Sequence, residues 1–269
     1  MRRPTFALAL LALALACLFA APLEGQHPEI HAKHFLHGYP TGVPETNDLV
    51  VRDVYALSSN DGRRMADWVA YRLTHRTVDG PALSRRWRVD PWLEPEERLD
   101  PRDYLGAHDE LGVDRGHLAP LAAFRGTLAG HQTNYLSNVT PQRSALNQGP
   151  WRRMEEAVRD LARQDTVHVM TGPLFERDMP ELPEAGDPHA VPSGFWKIVA
   201  MDASGGPRVM AVVMEQEIAR DADYCDRRVS VDEIEARSGL DFFWELDAER
   251  EEALEDDRGS EELAGRLGC

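Results

Sequence analysis

Asp114-Arg115-Gly116-His117-Leu118-Ala119-Pro120 is the stretch around which the chain is organised, with Asn134-Tyr135-Leu136-Ser137-Asn138-Val139-Thr140-Pro141-Gln142 and Asn147-Gln148-Gly149-Pro150-Trp151 close behind it. Histidine has an unperturbed pKa near 6.5, so His117 offers a neutral imidazole able to accept a proton at working pH. Arg115 is a fixed cation for a phosphate oxygen. Asn147 brings a neutral oxygen suited to a hard cation such as Mg²⁺, which prefers oxygen ligands and keeps several of its waters. Singly, each residue has an ordinary explanation: a turn at Asp-Arg-Gly, a half-buried histidine, an asparagine helix cap. Jointly they supply the parts of metal-assisted phosphodiester hydrolysis.

Outward from this stretch, the pattern from Gln148 to Gln164 is helical: Trp151, Met154, Val158 and Leu161 recur at spacings of three and four and build one apolar stripe. Pro150 fits only a first turn, where backbone donors have no intrahelical partner, so the helix should start near Asn147. Glu155 and Arg159 then stand one turn apart on one side, where an ordinary i,i+4 ion pair would account for them.

These residues resemble the signature of the DNA/RNA non-specific endonucleases, the ββα-metal nucleases that include endonuclease G. The resemblance continues through Asp67-Trp68-Val69-Ala70-Tyr71, Thr171-Gly172-Pro173-Leu174-Phe175-Glu176-Arg177-Asp178-Met179 and Val191-Pro192-Ser193-Gly194-Phe195-Trp196-Lys197, and covers roughly Val50 to Cys269. It is nearest the secreted bacterial branch. It implies an endonuclease that uses Mg²⁺, with Mn²⁺ able to substitute, cuts DNA and RNA with little sequence preference and leaves 5′-phosphates. His117 is then the general base and Asn147 the direct metal ligand. Glu155 falls where its carboxylate helps hold the hydrated metal, and Arg159 where a supporting cation belongs. Arg85 and Arg115 meet the phosphate. Asn138, grouped with the catalytic set, is expected together with Asn134 to position loops and the histidine, since an Asn side chain can satisfy several backbone groups at once.

A chain of 269 residues with 42% apolar and 28% charged content can bury one sizeable core, and neither repeats nor a Ser/Gly linker divide it. Residues 1–21 carry Arg2 and Arg3, an apolar run from Phe6 to Ala16 and small residues at Ala20 and Ala21, the pattern of a secretory signal peptide too short to span a membrane. The expected product is secreted or periplasmic, with no membrane partner once the leader is removed. Cys17 leaves lipidation as an alternative, although Ala14-Leu15-Ala16 is a poor lead-in for it. Residues 22–47 read as a flexible extension rich in histidine (His27, His31, His34, His37) and 48–269 as the nuclease domain. That histidine group also raises the rival of a zinc-dependent hydrolase.

Asp48 to Ser58 and Ala66 to Thr74 read as paired strands about an Asn60-Asp61-Gly62 turn. Ser84-Arg85-Arg86-Trp87-Arg88 reads as an edge strand or a phosphate-facing surface. Thr166 to Thr171, Phe195 to Met201 and Arg208 to Glu215 read as further strands, and Ser230-Val231-Asp232-Glu233 as a capped helix start. The expected class is α+β: a mixed, mostly antiparallel central sheet flanked by helices, with the ββα motif following from the resemblance. Cys225 and Cys269 remain as an even pair in an oxidising setting and are expected to form a disulfide.

The net charge of −16 is unusual for a protein that meets a polyanion. Between Asp241 and Glu262 eleven acidic residues face two arginines, a net of −9, so more than half of the excess negative charge sits in one stretch. Spatial separation of that stretch from the arginines around the motifs would reconcile the two. The balance also argues against a catalytically silent nucleic-acid binding module, the other rival. Oligomeric state and any inhibitor partner are not legible in the sequence.

Overall fold

The computed structural model describes residues 28–186, 189–256 and 258–269; the leader, Cys17 and His27 lie outside them. The strands are β1 (Asp48–Val51), β2 (Ala56–Asn60), β3 (Met65–Leu73), β4 (Val113–His117), β5 (Val139–Arg143), β6 (Val167–Leu174), β7 (Gly194–Met201), β8 (Arg208–Glu215) and β9 (Arg228–Val229). The helices are α1 (His75–Val78), α2 (Ala107–Leu111), α3 (Ser144–Leu146), α4 (Arg152–Ala162), α5 (Val231–Ser238), α6 (Ala248–Glu255) and α7 (Glu261–Arg266).

Seven strands form an antiparallel sheet in the order β1-β2-β3-β6-β7-β8-β9. Its central strands are apolar on both faces because both are covered. Val69, Tyr71, Val169, Phe195 and Val199 face the α4 side, while Trp68, Ala70, Met170, Trp196 and Ile198 face the side of Ile234 on α5. The α4 stripe behaves as its periodicity predicts: Trp151, Met154, Val158 and Leu161 are all buried, and the Trp151 ring packs edge-on to Phe195 at 5.7 Å. Burying four such side chains is worth several kcal/mol, at about 1.5–3 kcal/mol each.

Strands β4 and β5 stand apart as a two-stranded sheet, paired from Val113↔Arg143 to His117↔Val139. With α4 they make the ββα element. The Asp-Arg-Gly segment is thus a strand and not a turn. Between β5 and α4 the chain runs through α3 and a wide turn, Asn147–Trp151, broken at Gly149 (φ −104°, ψ −118°), so the regular helix starts five residues later than expected. A side chain at Gly149 would meet the Arg220 carbonyl oxygen at 2.5 Å, which is why the break carries glycine.

Two expectations are corrected. The segment read as one strand from Asp48 to Ser58 is a hairpin, β1 and β2, registered from Asp48↔Ser59 to Val51↔Ala56. The described part of the N-terminal segment is not flexible but packed across the expected boundary at residue 48. His34 is buried and its Nε2 bonds the Arg52 carbonyl at 2.8 Å, Phe35 lies against Trp68, and Thr41 pairs with Asp241. Apolar residues interleaved with the histidines drive this burial. Cys225 and Cys269 are joined by a disulfide. Among the described residues no helix is long and apolar enough to cross a membrane.

Candidate active site

One cavity of roughly 600 Å³ opens over the ββα element, lined by residues of β4, α2, α4 and the loops before and after them. It gathers Arg85, Arg115, His117, Asn147, Glu155 and Arg159, although they span 75 positions from first to last. Asn134 and Asn138 are buried and lie outside its lining.

Strand β4 delivers His117 at its last position. The Nε2 of His117 lies 3.1 Å from Oδ1 of Asn134, and Asn134 uses its Nδ2 to donate to the Ser84 carbonyl at 3.2 Å. The carbonyl can only accept, so the amide orientation is fixed, its oxygen faces the imidazole, and Nε2 carries the proton. Nδ1 is left as the basic nitrogen. Burial, with Arg85 adding to it against the Asn134 hydrogen bond, lowers the imidazole pKa to about 4. The Trp87 ring, 4.9 Å away, holds its plane. Asn138 ties the chain after His117 to the loop that carries Asn134. Its Oδ1 accepts from Ala119 N–H at 2.8 Å, and its Nδ2 donates to the carbonyls of Ala119 (3.0 Å) and Thr133 (2.8 Å). Asn138 therefore acts at a distance from any substrate.

Asn147 is held by Asp114, a residue to which the motif by itself assigns no role. Asp114 accepts from Asn147 Nδ2 at 2.9 Å, Gln148 Nε2 at 2.8 Å and Ser144 Oγ at 2.8 Å. Burial alone would raise this carboxyl, but the three donors hold it below its usual value. A carboxylate that only accepts must face the amide nitrogen, which leaves Asn147 Oδ1 uncommitted. Asp114 opens the motif at a strand position whose side chain must leave the same face as Gly116, and that alternation was the available signal.

Glu155 is half-buried on α4. Burial pushes its carboxyl up and the ammonium of Lys197 on β7 down, and each partly holds the other charged. Lys197 is fully buried, its Nζ 4.2 Å from the Trp151 ring centroid with no hydrogen-bond partner. Glu155 and Arg159 both face the cavity, and no close ion pair joins them; the i,i+4 pair on this helix is Arg152 with Glu156, at 3.8 Å. Lys197 is not legible from local pattern, because a lysine within a buried strand comes under the influence of an acid on a distant helix through the fold alone.

Alternation sorts the arginines before β4. Arg85 and Trp87 line the cavity and Arg86 and Arg88 do not. Arg85 is exposed, and no described hydrogen bond or ion pair engages it. Arg115 is more constrained, donating from Nη2 to the Pro101 carbonyl at 3.0 Å with its guanidinium 5.1 Å from the Tyr104 ring centroid. Arg125, Arg152 and Arg159 complete a cationic wall, and no acidic residue between Asp241 and Glu262 lines the cavity. Among the described residues, His31, His34 and His37 do not converge on one point as potential ligands. His31 sits exposed beside Glu29 and His34 is spent on Arg52, and no group of potential metal ligands among the described residues includes either.

A family model described as DNA/RNA non-specific endonuclease matches residues 32–249. The Nuclease of Serratia marcescens is 42% identical over 97% of each chain. Human mitochondrial Endonuclease G is 34% identical over 75% of this chain and 71% of its own. A crystal structure of the EndoG/EndoGI complex superposes with a TM-score of 0.68 at 26% identity, covering 80% of this chain and 91% of that one.

Proposed function

The chain belongs to the DNA/RNA non-specific endonuclease family, and from that premise we propose that it is an exported, Mg²⁺-dependent endonuclease with His117 as general base and Asn147 as the protein's direct metal ligand. The carrying observation is that a neutral imidazole with a free Nδ1 and an amide with a free Oδ1 line one cavity.

The donors fit a hard divalent cation. Asn147 Oδ1 is the amide's unused acceptor, and the Glu155 carboxylate lines the same wall, an all-oxygen pair that suits Mg²⁺ or Mn²⁺. Asn147 would hold the ion directly and Glu155 through its waters. When bound, the ion offsets the charge that develops on the leaving oxygen.

The remaining work is the chain's own. His117 Nδ1 takes a proton from water as the oxygen attacks phosphorus in line, and Asn134 stabilises the imidazolium by accepting from Nε2. Arg85 and Arg115 donate to the non-bridging oxygens, whose charge grows toward a phosphorane-like transition state. The products carry 5′-phosphates. Every proposed contact is a phosphate contact, and the aromatic rings of the cavity, Trp87 and Tyr104, are engaged by His117 and Arg115. DNA and RNA are expected within about tenfold of each other in kcat/KM, because binding rests on phosphates. The Cys225–Cys269 disulfide suits an oxidising compartment, which agrees with removal of residues 1–21 as a leader.

Conversion of supercoiled plasmid to relaxed and linear forms tests the reading. Activity should vanish in chelator, return with Mg²⁺ and be absent in His117→Ala. Chelator-resistant nicking, or rescue by zinc in place of Mg²⁺, would overturn it.

A further inference from the structure

Helix α5 starts at Ser230, whose side chain accepts from Glu233 N–H, and its spacing puts Asp232 and Glu235 on one face. Helix α6 brings Glu255 to them at its last position, and carboxylate oxygens of the three residues lie within 4.8 Å of one another. Asp232 is exposed, Glu235 half-buried and Glu255 only 6% exposed. Glu235 Oε1 accepts from Phe242 N–H at 2.9 Å, whereas Glu255 Oε1 is buried within the cluster with no hydrogen-bond partner.

A buried carboxylate without donor or counter-charge is costly, and the surroundings here add charge of the same sign. Asp232, Glu235, Asp241 and Glu251 face Glu255, and Glu252 and Asp256 stand beside Asp232. The arginines of the two helices are committed elsewhere: Arg237 to Glu176, Glu215 and Glu233, and Arg250 to Asp247. No described ion pair engages Asp232, Glu235 or Glu255.

We propose that Asp232, Glu235 and Glu255 form a structural calcium site that fastens α6 to α5, separate from the cavity lined by His117 and Asn147. Ca²⁺ takes six to eight oxygens at about 2.3–2.6 Å, so ligands on opposite sides of one ion stand about 4.8 Å apart, and it tolerates irregular geometry. Mg²⁺ demands a near-ideal octahedron at about 2.0–2.1 Å and gives up its waters reluctantly, which suits a cluster of three carboxylates less well. Exposure of Asp232 leaves one side of the ion to water, while Glu255 closes the other. The site also accounts for part of the acidic excess between Asp241 and Glu262 that the nucleic-acid chemistry does not use.

Calorimetric titration of the chelator-treated protein with CaCl₂ at pH 8, with parallel thermal melts, tests the proposal. Asn147→Ala, which disables the proposed catalytic metal position, should still bind one Ca²⁺, and its Tm should rise by about 5–10 °C at a hundredfold excess over Kd. Glu255→Gln should lose that binding and that rise, melt no lower than the parent without metal, and keep its Mg²⁺-dependent nicking. Should Glu255→Gln fail to fold, the exposed Asp232→Asn carries the same expectation, with calcium affinity at least tenfold weaker. A calcium-dependent rise in Glu255→Gln equal to that of the parent, absence of binding to Asn147→Ala at millimolar Ca²⁺, or an equal rise with Mg²⁺ would each overturn the assignment.

Discussion

Asn134 Oδ1 lies 3.1 Å from His117 Nε2, and the Asn134 amide is itself oriented by the Ser84 carbonyl. Because one bond fixes the other, the asparagine selects which imidazole nitrogen is basic. His117→Ala is expected to lower kcat by about 10²–10⁴-fold, the usual cost of a general base. Asn134→Ala should cost less, about 10–100-fold, and shift the neutral ring toward a mixture of tautomers visible in its nitrogen chemical shifts. A variant at position 134 with full turnover and an unchanged tautomer would remove Asn134 from the mechanism.

The acid limb of the pH profile follows from the same site. Burial and Arg85 disfavour the imidazolium, so the neutral base persists down to about pH 4 in the free enzyme, and the fall in kcat/KM should lie well below the 6.5 of an ordinary histidine. Protonation removes the lone pair, so activity falls as pH drops through that value. Arg85→Ala takes away one cause of the lowering and should move the limb upward. A limb at 6.5 in both proteins would contradict this account of the site.

Metal dependence should separate two residues that share a wall of the cavity. Asn147→Ala is expected to raise the Mg²⁺ concentration for half-maximal rate by about tenfold or more with little change in Tm. Glu155→Ala should do the same and also melt lower, because the carboxylate that helps hold buried Lys197 charged is lost. Pairing Glu155→Ala with Lys197→Met should restore the melting point and not the rate. Unchanged Mg²⁺ titration curves would assign both residues to structure alone.

The two arginines proposed to meet phosphate differ in what else they do. Arg85 has no described hydrogen bond, so Arg85→Ala should reduce kcat without moving Tm. Arg115 also donates to Pro101 and packs on Tyr104, so Arg115→Ala should reduce kcat and cost about 1–2 kcal/mol of stability. Steady-state kinetics on a short duplex decides the first point: a rise in KM with kcat intact would make these docking residues.

Joining residues 44 apart, the Cys225–Cys269 bond contributes about 4 kcal/mol if it acts through the entropy of the unfolded chain. Cys225→Ser with Cys269→Ser should lower Tm by roughly 10 °C. Thiol titration of the denatured, unreduced protein should find neither residue free; two reactive thiols would refute the pairing.

The three motif stretches, the α4 stripe and the later strands were legible because their information is local. A period of two or of nearly four residues marks a buried face wherever it occurs, and Pro150 and Ser230 punctuate helices by their own backbone chemistry. The even pair Cys225 and Cys269 needed only counting. Arg85 was set apart from Arg86 and Arg88 by the resemblance rather than by local pattern.

Other features depend on what the chain meets far from itself. The hairpin within Asp48 to Ser58 and the packing of His34, Phe35 and Thr41 arise because the sheet offers faces and edges to cover, which no local pattern announces. Asp114 reaching Asn147 across 33 positions, Lys197 set beneath Glu155, and Glu255 brought to Asp232 and Glu235 are products of register and helix docking. The sequence alone determined that a histidine, an asparagine and arginines stand in the motif stretches. Only the tertiary structure decided which nitrogen of His117 carries the proton and that the side-chain oxygen of Asn147 is left uncommitted, because a hydrogen-bonding group's orientation is set by the partner that packing brings to it.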